Sequence, residues 1–303
     1  MNALAPLAER LRGRVRFHEP LAEHTTYRIG GPAAALVEPV DAEDVAMALA
    51  VTAEAGLPWL VIGLGSNLLV RDSGFAGVVL KMGRAVAGLT PVGAGVWRAG
   101  AGLPTPLLAR RTADAGFAGV HRLVGVPGTV GGGVYMNAGA HAQEFRDVVR
   151  RVWLVNASGV AEERVGDAIA WVYRASNLGR VVVLEAEVAL AEEDPAVLTR
   201  DLREHYRWRK QGTPFQEPCC GSVFRNPVGR ADGKTAGRLI DAAGLKGYQI
   251  GGAQVSPVHA NYIVNTGGAR AADVLAVIAH VRTVVRDRFA VELELEVQVV
   301  GDE

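Results

Sequence analysis

The chain has 303 residues, enough for one large domain or two or three smaller ones with a sizeable buried core. Its 32 Lys plus Arg balance its 32 Asp plus Glu, and neither sign collects into a run. That balance excludes the electrostatic footprint of a nucleic-acid or membrane-surface binder and points to small-molecule partners.

The opening segment, "MNALAPLAERLRGRVRF", has no apolar signal core, and no stretch approaches the ~18 apolar residues of a membrane span, so a cytoplasmic location is expected. Asp41 is placed to cap a helix that runs to Gly56, with Val45, Leu49 and Ala53 at helical spacing and the glycine as its exit. "LPWLVIG" then reads as a buried strand ending at Gly63, and "GVVLKM" and "GVWRAG" as further strands. Thr105 and Pro106 open a second helix as cap and first-turn proline. Directly after it comes "GVPGTVGGGVYMNAGA", residues 125–140, with six glycines in sixteen positions. Glycine frees the backbone for positive φ and close approach at an entropic cost, so a stretch this bare implies a turn built around something. "VRRVWLVNASG" and "VVVLEAEVAL" are strands with a helical segment near "GDAIAWVY" between them, an α+β pattern that continues to about residue 198. The charged helix "PAVLTRDLREHYRWRKQG" marks a boundary. Beyond it a helix carries the apolar stripe Val274, Val277, Ile278, Val281, Val285, and "VELELEVQVV" alternates as a half-exposed strand should.

Several familiar motifs fail on spacing. "GLGSNL" begins like a dinucleotide fingerprint, but Leu68 stands where the third glycine belongs and no helix-forming run follows. "GRADGKT", residues 229–235, resembles a phosphate loop, but Val228 occupies the position of its first glycine and no strand leads into it. The seven histidines have no metal-ligand spacing, there is no G-x-S-x-G elbow, and the only cysteines, Cys219 and Cys220, are adjacent. No metal is expected, and the thiols read as small side chains in a reducing compartment. Two glycine turns, 63–67 and 125–133, are left as offers of backbone N–H to an anion such as a pyrophosphate.

The order of the segments adds more. "TTYRIGGPA", "GLGSNLLVRDSGFAGVVLKM", "GVPGTVGGGVYMNAGA", "YRASN", "CGSVFRNP", "AGRLIDAAGLKGYQIGGAQVSPVHANYIVN" and "LELEV" span nearly the whole chain. In this order they resemble the UDP-N-acetylenolpyruvoylglucosamine reductase (MurB) family, in its second, loop-lacking subtype. The resemblance implies an α+β fold: an FAD-binding module of the vanillyl-alcohol oxidase (PCMH) type in two subdomains, residues 1–72 and 73–198, followed by a smaller substrate domain, 199–303. It implies noncovalent FAD held by Gly63, Leu64, Gly65, Ser66, Asn67 and Leu68 and by Gly125, Pro127, Gly128, Thr129, Gly131 and Gly132. Gly133 stands where alanine is commoner in the family.

The implied reaction reduces UDP-N-acetylglucosamine enolpyruvate to UDP-N-acetylmuramate, a peptidoglycan precursor, with NADPH as reductant. Arg174, Ser222 and Glu296 match the family's catalytic positions: a cation for the developing charge, a proton donor, and the second glutamate of "LELEV". Tyr173, Lys210, Asn226 and His259 match substrate-contact positions, with Arg207 and Arg225 as basic neighbours suited to phosphate. "KQGTP" replaces the family's usual "KQP" just after Lys210. Another flavin oxidoreductase on the same fold, or a flavin-binding regulatory protein, are the alternatives, and the catalytic trio argues against both.

Overall fold

A computed structural model describes residues 3–227 and 233–301. Residues 228–232, which include most of "GRADGKT", lie outside the described residues. The chain divides into two compact units, one of Met1–Glu19, Ala34–Leu64 and Gly77–Arg209, the other of Pro20–Ala33, Gly65–Ala76 and Lys210–Glu303.

Among the described residues the first unit holds two larger sheets, with three two-stranded ribbons beside them. In the four-stranded sheet the order is Arg14–Pro20, Pro32–Glu38, Phe75–Lys81, Trp59–Ile62, and the last two strands pair in parallel. The Ala42–Glu54 helix connects Pro32–Glu38 to Trp59–Ile62, and it begins where the sequence places it: the Asp41 carboxylate accepts the Asp44 N–H at 3.1 Å, and Gly56 leaves with φ +64°. Its buried side is Val45, Ala48, Leu49, Val51 and Thr52, whereas Ala53 is exposed, so the apolar stripe turns one residue away from the expected line. The five-stranded sheet is antiparallel throughout, in the order Ala161–Val165, Val149–Asn156, Val181–Ala189, Val96–Gly100, Leu89–Gly93. Its central strands bury Val152, Leu154, Val182, Ala186 and Val188 in one core with Leu108, Leu123, Val130 and Phe145. Each of the Val, Leu and Phe side chains removed from water contributes about 1.5–3 kcal/mol.

The second unit has its own core, in which Tyr27, Ile29 and Leu69 pack with Val223, Phe224, Leu239, Ile240 and the stripe Val274, Val277, Ile278, Val281, Val285 of the Ala271–Phe289 helix. The Asp72 carboxylate accepts the N–H groups of Ala271 (2.8 Å) and Ala272 (3.1 Å), placing a negative charge at the start of that helix. A three-stranded antiparallel sheet, Gln249–Ile250, Ala253–Val255, Ile263–Asn265, and a parallel pair, Leu68–Val70 with Gln298–Val300, complete it.

Four local expectations change. Thr105 is the first residue of the Thr105–Asp114 helix and Pro104 is its N-cap, with no side-chain capping bond; the Thr105 N–H donates to the Gly128 carbonyl instead. "GDAIAWVY" forms a single 3-10 turn, Gly166–Ala168, and then a strand, because the Trp171–Val172 backbone pairs with Ala175–Ser176. "VELELEVQVV" keeps its alternation, with Val291 and Leu293 buried and Glu292 and Glu294 exposed, but only Gln298–Val300 is a strand. Upstream, an isolated bridge from Leu295 to Phe224 supplies the pairing. The glycine stretch is not a turn throughout: Val130–Tyr135 is a short helix.

That helix lies close against its surroundings. A Cβ on Gly131 would stand 2.8 Å from the Ala101 Cβ, and one on Gly133 would overlap the Phe145 ring edge, with Cζ at 2.8 Å. Phe145 is fully buried and packed in the first unit's core, so the ring cannot swing away freely. Gly133→Ala is therefore expected to destabilise this chain by about 1–3 kcal/mol, an overpacking cost, and Phe145→Leu in the same chain to recover part of it. Midpoints of thermal unfolding for the two variants check this.

Candidate active site

In the first unit the candidate residues gather where the parallel strand Trp59–Ile62 ends and the glycine stretch begins. Thr129 is the N-cap of the short helix and is buried, and its side chain lies over Gly63 so closely that any Cβ there would overlap Oγ1. Gly128 has φ +126°, a conformation open only to glycine. The N–H of Val130 donates to Leu103 O (2.8 Å), that of Gly131 to Ala101 O (2.9 Å) and that of Gly133 to Thr129 O (2.8 Å). Among the described residues no acceptor takes the N–H groups of Gly128, Thr129 and Gly132. Next to Gly132 an added Cβ would meet only Thr129 Oγ1, at 3.8 Å. Such an arrangement of uncommitted donors and bare backbone fits a phosphate oxygen. Gly125 has another explanation, since its missing Cβ makes room for the Arg209 stem, 2.7 Å from Arg209 Cγ.

The end of the same stretch holds the loop that carries Arg174. Trp171–Val172 and Ala175–Ser176 form a hairpin whose two-residue connection is Tyr173–Arg174, with Arg174 at φ +59°. Asn137, fully buried and at φ +46°, donates from Nδ2 to Val172 O (3.0 Å) and to Glu144 Oε2 (3.1 Å), and its Oδ1 accepts the Arg146 N–H (3.1 Å). The Ser176 hydroxyl donates to Tyr135 O at 2.7 Å. Arg174 Nη2 donates to Gly139 O at 3.0 Å, Nη1 lies 3.7 Å from Glu144 Oε1, and the guanidinium sits 4.7 Å over the Tyr173 ring. A non-glycine residue with positive φ, held by this many contacts, is the kind of strain that collects at functional loops.

In the second unit, Gly65 sits at φ +62°, which favours glycine, and a Cβ there would overlap the His24 carbonyl. The Asn67 Nδ2 donates to Glu296 O (3.0 Å), and the Gln298 N–H returns a bond to Asn67 O (3.0 Å). The Glu296 N–H donates to Val223 O (2.8 Å), one residue past half-buried Ser222. Asn261 binds the same segment through both ends of its carboxamide, taking the Phe224 N–H (3.0 Å) and donating to Phe224 O (2.8 Å); its own N–H donates to His259 Nδ1 (3.2 Å). Asn67, Glu296, Val223, Asn261 and His259 are thus parts of one bonded group, and Ser66 and Ser222 are chain neighbours of two of its members. Asn226 uses its Oδ1 to accept the Ala236 N–H (3.1 Å), and Lys210 stands exposed near the end of the Pro195–Gly212 helix. Arg225 presents a buried Nε with no partner among the described residues, an orphaned donor that suits an anion.

The sequence gives no warning of Asn137, Glu144 or His141 as site residues. Asn137 is inside the quoted glycine stretch, but only the fold shows that its carboxamide reaches the hairpin. His141 lies against His205 with the rings tilted and their centroids 4.3 Å apart, next to Arg122 and Arg209, whose buried Nε atoms have no partner among the described residues. Burial first, then His205, then Arg209 and Arg122, hold His141 below the ordinary imidazole range. Among the described residues no group of three or more His, Cys, Asp or Glu has the geometry of a metal site, and no helix is long and apolar enough to cross a membrane.

Two family models match the chain: an FAD binding domain over residues 33–163, and the UDP-N-acetylenolpyruvoylglucosamine reductase C-terminal domain over residues 213–300. The chain is 41% identical over 302 residues to the UDP-N-acetylenolpyruvoylglucosamine reductase of Halalkalibacterium halodurans, covering 98% of this chain and 99% of that one. To the enzyme of the same name from Bacillus subtilis it is 40% identical over 303 residues, covering 99% and 98%. The crystal structure of the Thermus caldophilus UDP-N-acetylenolpyruvylglucosamine reductase superposes with a TM-score of 0.81 at 34% identity, covering 96% of this chain and 100% of that one. A glucose dehydrogenase, Phl p 4.0202, shares the fold alone and over part of the chain, at a TM-score of 0.50 and 14% identity, covering 64% of this chain and 45% of that one.

Cys220 is buried, and burial first and the adjacent Cys219 second push its thiol far up, whereas Cys219 is half-buried. A raised pKa keeps the thiolate, the reactive form, scarce. Iodoacetamide at pH 8 is expected to label Cys219 before Cys220 in the folded chain and both at similar rates in denaturant, read by peptide mass mapping.

Proposed function

This chain belongs to the UDP-N-acetylenolpyruvoylglucosamine reductase family, and on that premise we propose that it reduces UDP-N-acetylglucosamine enolpyruvate to UDP-N-acetylmuramate. The reductant is NADPH, the cofactor is noncovalent FAD, and the work is a step of peptidoglycan precursor synthesis in the cytoplasm that serves cell shape, the cell cycle and division. Residues 1–72 and 73–198 act as the FAD-binding subdomains and 199–303 as the substrate domain. The observation that carries the reading is the bonded group in which the Asn67 side chain holds Glu296 O and the Glu296 N–H holds the carbonyl next to Ser222.

FAD, when bound, supplies hydride transfer from NADPH to the enol ether. Its pyrophosphate and neighbouring groups are assigned to 63–68, Gly125 and 127–132, where the unclaimed N–H groups of Gly128, Thr129 and Gly132 support the fit. Hydride adds at the terminal enolpyruvyl carbon and sends negative charge to the neighbouring carbon and its carboxylate. Arg174 meets that charge with a guanidinium already oriented by Gly139 O and the Tyr173 ring. Ser222 gives its hydroxyl proton to the carbon bearing the ether oxygen. A serine hydroxyl is a weak acid, and this transfer runs because the recipient is carbanion-like and strongly basic. Glu296 is the third catalytic residue, fixed through its backbone beside the serine. Tyr173, Lys210, Asn226 and His259 contact the substrate, and the orphaned Nε of Arg225 supports a role for that residue at the diphosphate.

Two measurements test the assignment. Purified protein should show a flavin absorbance that NADPH bleaches and UDP-N-acetylglucosamine enolpyruvate restores; a chain that stays colourless after reconstitution with FAD overturns it. Ser222→Ala should leave bleaching by NADPH within about twofold of wild type and slow reoxidation by substrate about 10²–10⁴-fold, the usual loss on removing a proton donor. Equal slowing of both half-reactions removes Ser222 from the donor role.

A further inference from the structure

The contacts around Arg174 single out a carboxylate that the reading above does not use. Glu144 has only 18% of its side chain exposed, and Arg174 19%. Glu144 Oε2 accepts from Asn137 Nδ2 at 3.1 Å and lies 2.9 Å from Arg146 Nε, while Oε1 faces Arg174 Nη1 at 3.7 Å. Its backbone is fixed as well, since the Glu144 N–H donates to Asp147 Oδ2 at 2.8 Å and Gln143–Glu144 pairs with Gly139–Ala140. The Gly139 carbonyl takes Arg174 Nη2, so the short ribbon that carries Glu144 supplies both of these contacts to the guanidinium. From the other side, Asn137 joins the carboxylate of Glu144 to the carbonyl of Val172, the last strand residue before Tyr173–Arg174.

We infer that Glu144, held by Asn137, is a positioning residue that sets the orientation of the Arg174 guanidinium toward the substrate carboxylate. The inference rests on the role proposed above for Arg174. An arginine recognises a carboxylate through a planar fork, so affinity and rate depend on the plane being held before the ligand arrives. A lone arginine in a two-residue hairpin connection has several rotatable bonds. The Glu144 charge at 3.7 Å, with Gly139 O and the Tyr173 ring, selects one arrangement of them. A carboxylate held by two other side chains cannot follow the guanidinium away, and it acts as a fixed reference. Arg146, 2.9 Å from the same carboxylate, balances its charge when the substrate adds another.

The test is a double-mutant cycle on the FAD-loaded full chain with Glu144→Gln, Arg174→Ala and the pair. It reads flavin reduction by NADPH, flavin reoxidation by UDP-N-acetylglucosamine enolpyruvate, and, by calorimetry on the oxidised protein, binding of UDP-N-acetylmuramate. Glu144→Gln is expected to slow reoxidation about tenfold and weaken product binding about fivefold, with reduction by NADPH changed less than about twofold. In the Arg174→Ala background the same change should add less than about twofold, because the residue it acts through is gone. Glu144→Asp, which keeps the charge and withdraws it by one methylene, should fall between Gln and wild type, and the cycle run with it reads the coupling even if the Gln variant is not recovered. The inference is overturned if Arg174→Ala slows reoxidation while the Glu144 variants leave it and product binding unchanged, or if the losses multiply in the double variant. If Arg174→Ala itself leaves reoxidation and product binding untouched, the role of Arg174 falls and the positioning role falls with it.

Discussion

Gly131 and Gly133 lie where a methyl group has no room, and much of the first unit's site depends on that closeness. With bare backbone at both positions, the short helix Val130–Tyr135 can press against Ala101 and Phe145, and its N–H groups at 130 and 131 can reach the carbonyls of Leu103 and Ala101. The backbone bonds fix the height of the helix, and the packing of Phe145 fixes its rotation. Once both are set, the donors on Gly128, Thr129 and Gly132 are left uncommitted, and Asn137 emerges at the far end with its carboxamide in the core. The entropy lost in ordering so many glycines is offset by contacts that no larger residue could make.

The same segment therefore has two tasks. Its first half offers backbone donors, and its second half, from Tyr135 to Gly139, holds the Tyr173–Arg174 hairpin through Ser176, Val172 and the guanidinium itself. A residue with φ +59° in a two-residue connection is costly when alone. Here the hairpin is anchored at both of its strands, so the conformation is imposed by neighbours and not by the local sequence. In the second unit Asn261 and Asn67 do the comparable work, each using a carboxamide to tie backbone segments far apart in the chain.

How much of this was legible in the sequence depended on range. The helix at Ala42–Glu54 and the stripe on Ala271–Phe289 were readable because a cap and a 3.6-residue period are local signals. The motif blocks gave the family, the FAD and the candidate trio. What the residues could not disclose were choices made by distant partners: Pro104 in place of Thr105 as cap, the 3-10 turn at Gly166–Ala168, and the single bridge at Leu295 where alternation promised a longer strand. In "VELELEVQVV" the alternation reported burial correctly and hydrogen bonding wrongly, since a side-chain period follows from the pleat while a ladder needs a second strand. Glu144 was invisible for the same reason, thirty residues before Arg174 with no spacing rule to connect them. The glycines gave a mixed answer: Gly132 is bare toward open space, Gly128 needs its φ, and Gly125, Gly131 and Gly133 are bare toward the protein itself.

The second unit is assembled from three separated pieces of chain, 20–33, 65–76 and 210–303. Tyr27, Ile29 and Leu69 are made early, yet the side chains that cover them extend to Val297. On the ribosome these apolar residues stay without part of their cover until synthesis has passed Val297, at a translation rate of about 5–20 residues per second. The first unit can begin to collapse around its antiparallel sheet in that interval, and the second cannot close. Closure of the second core thus waits for the piece that carries Val223 to Val297, and a product truncated before it would leave the early segments as exposed apolar surface for quality control to find.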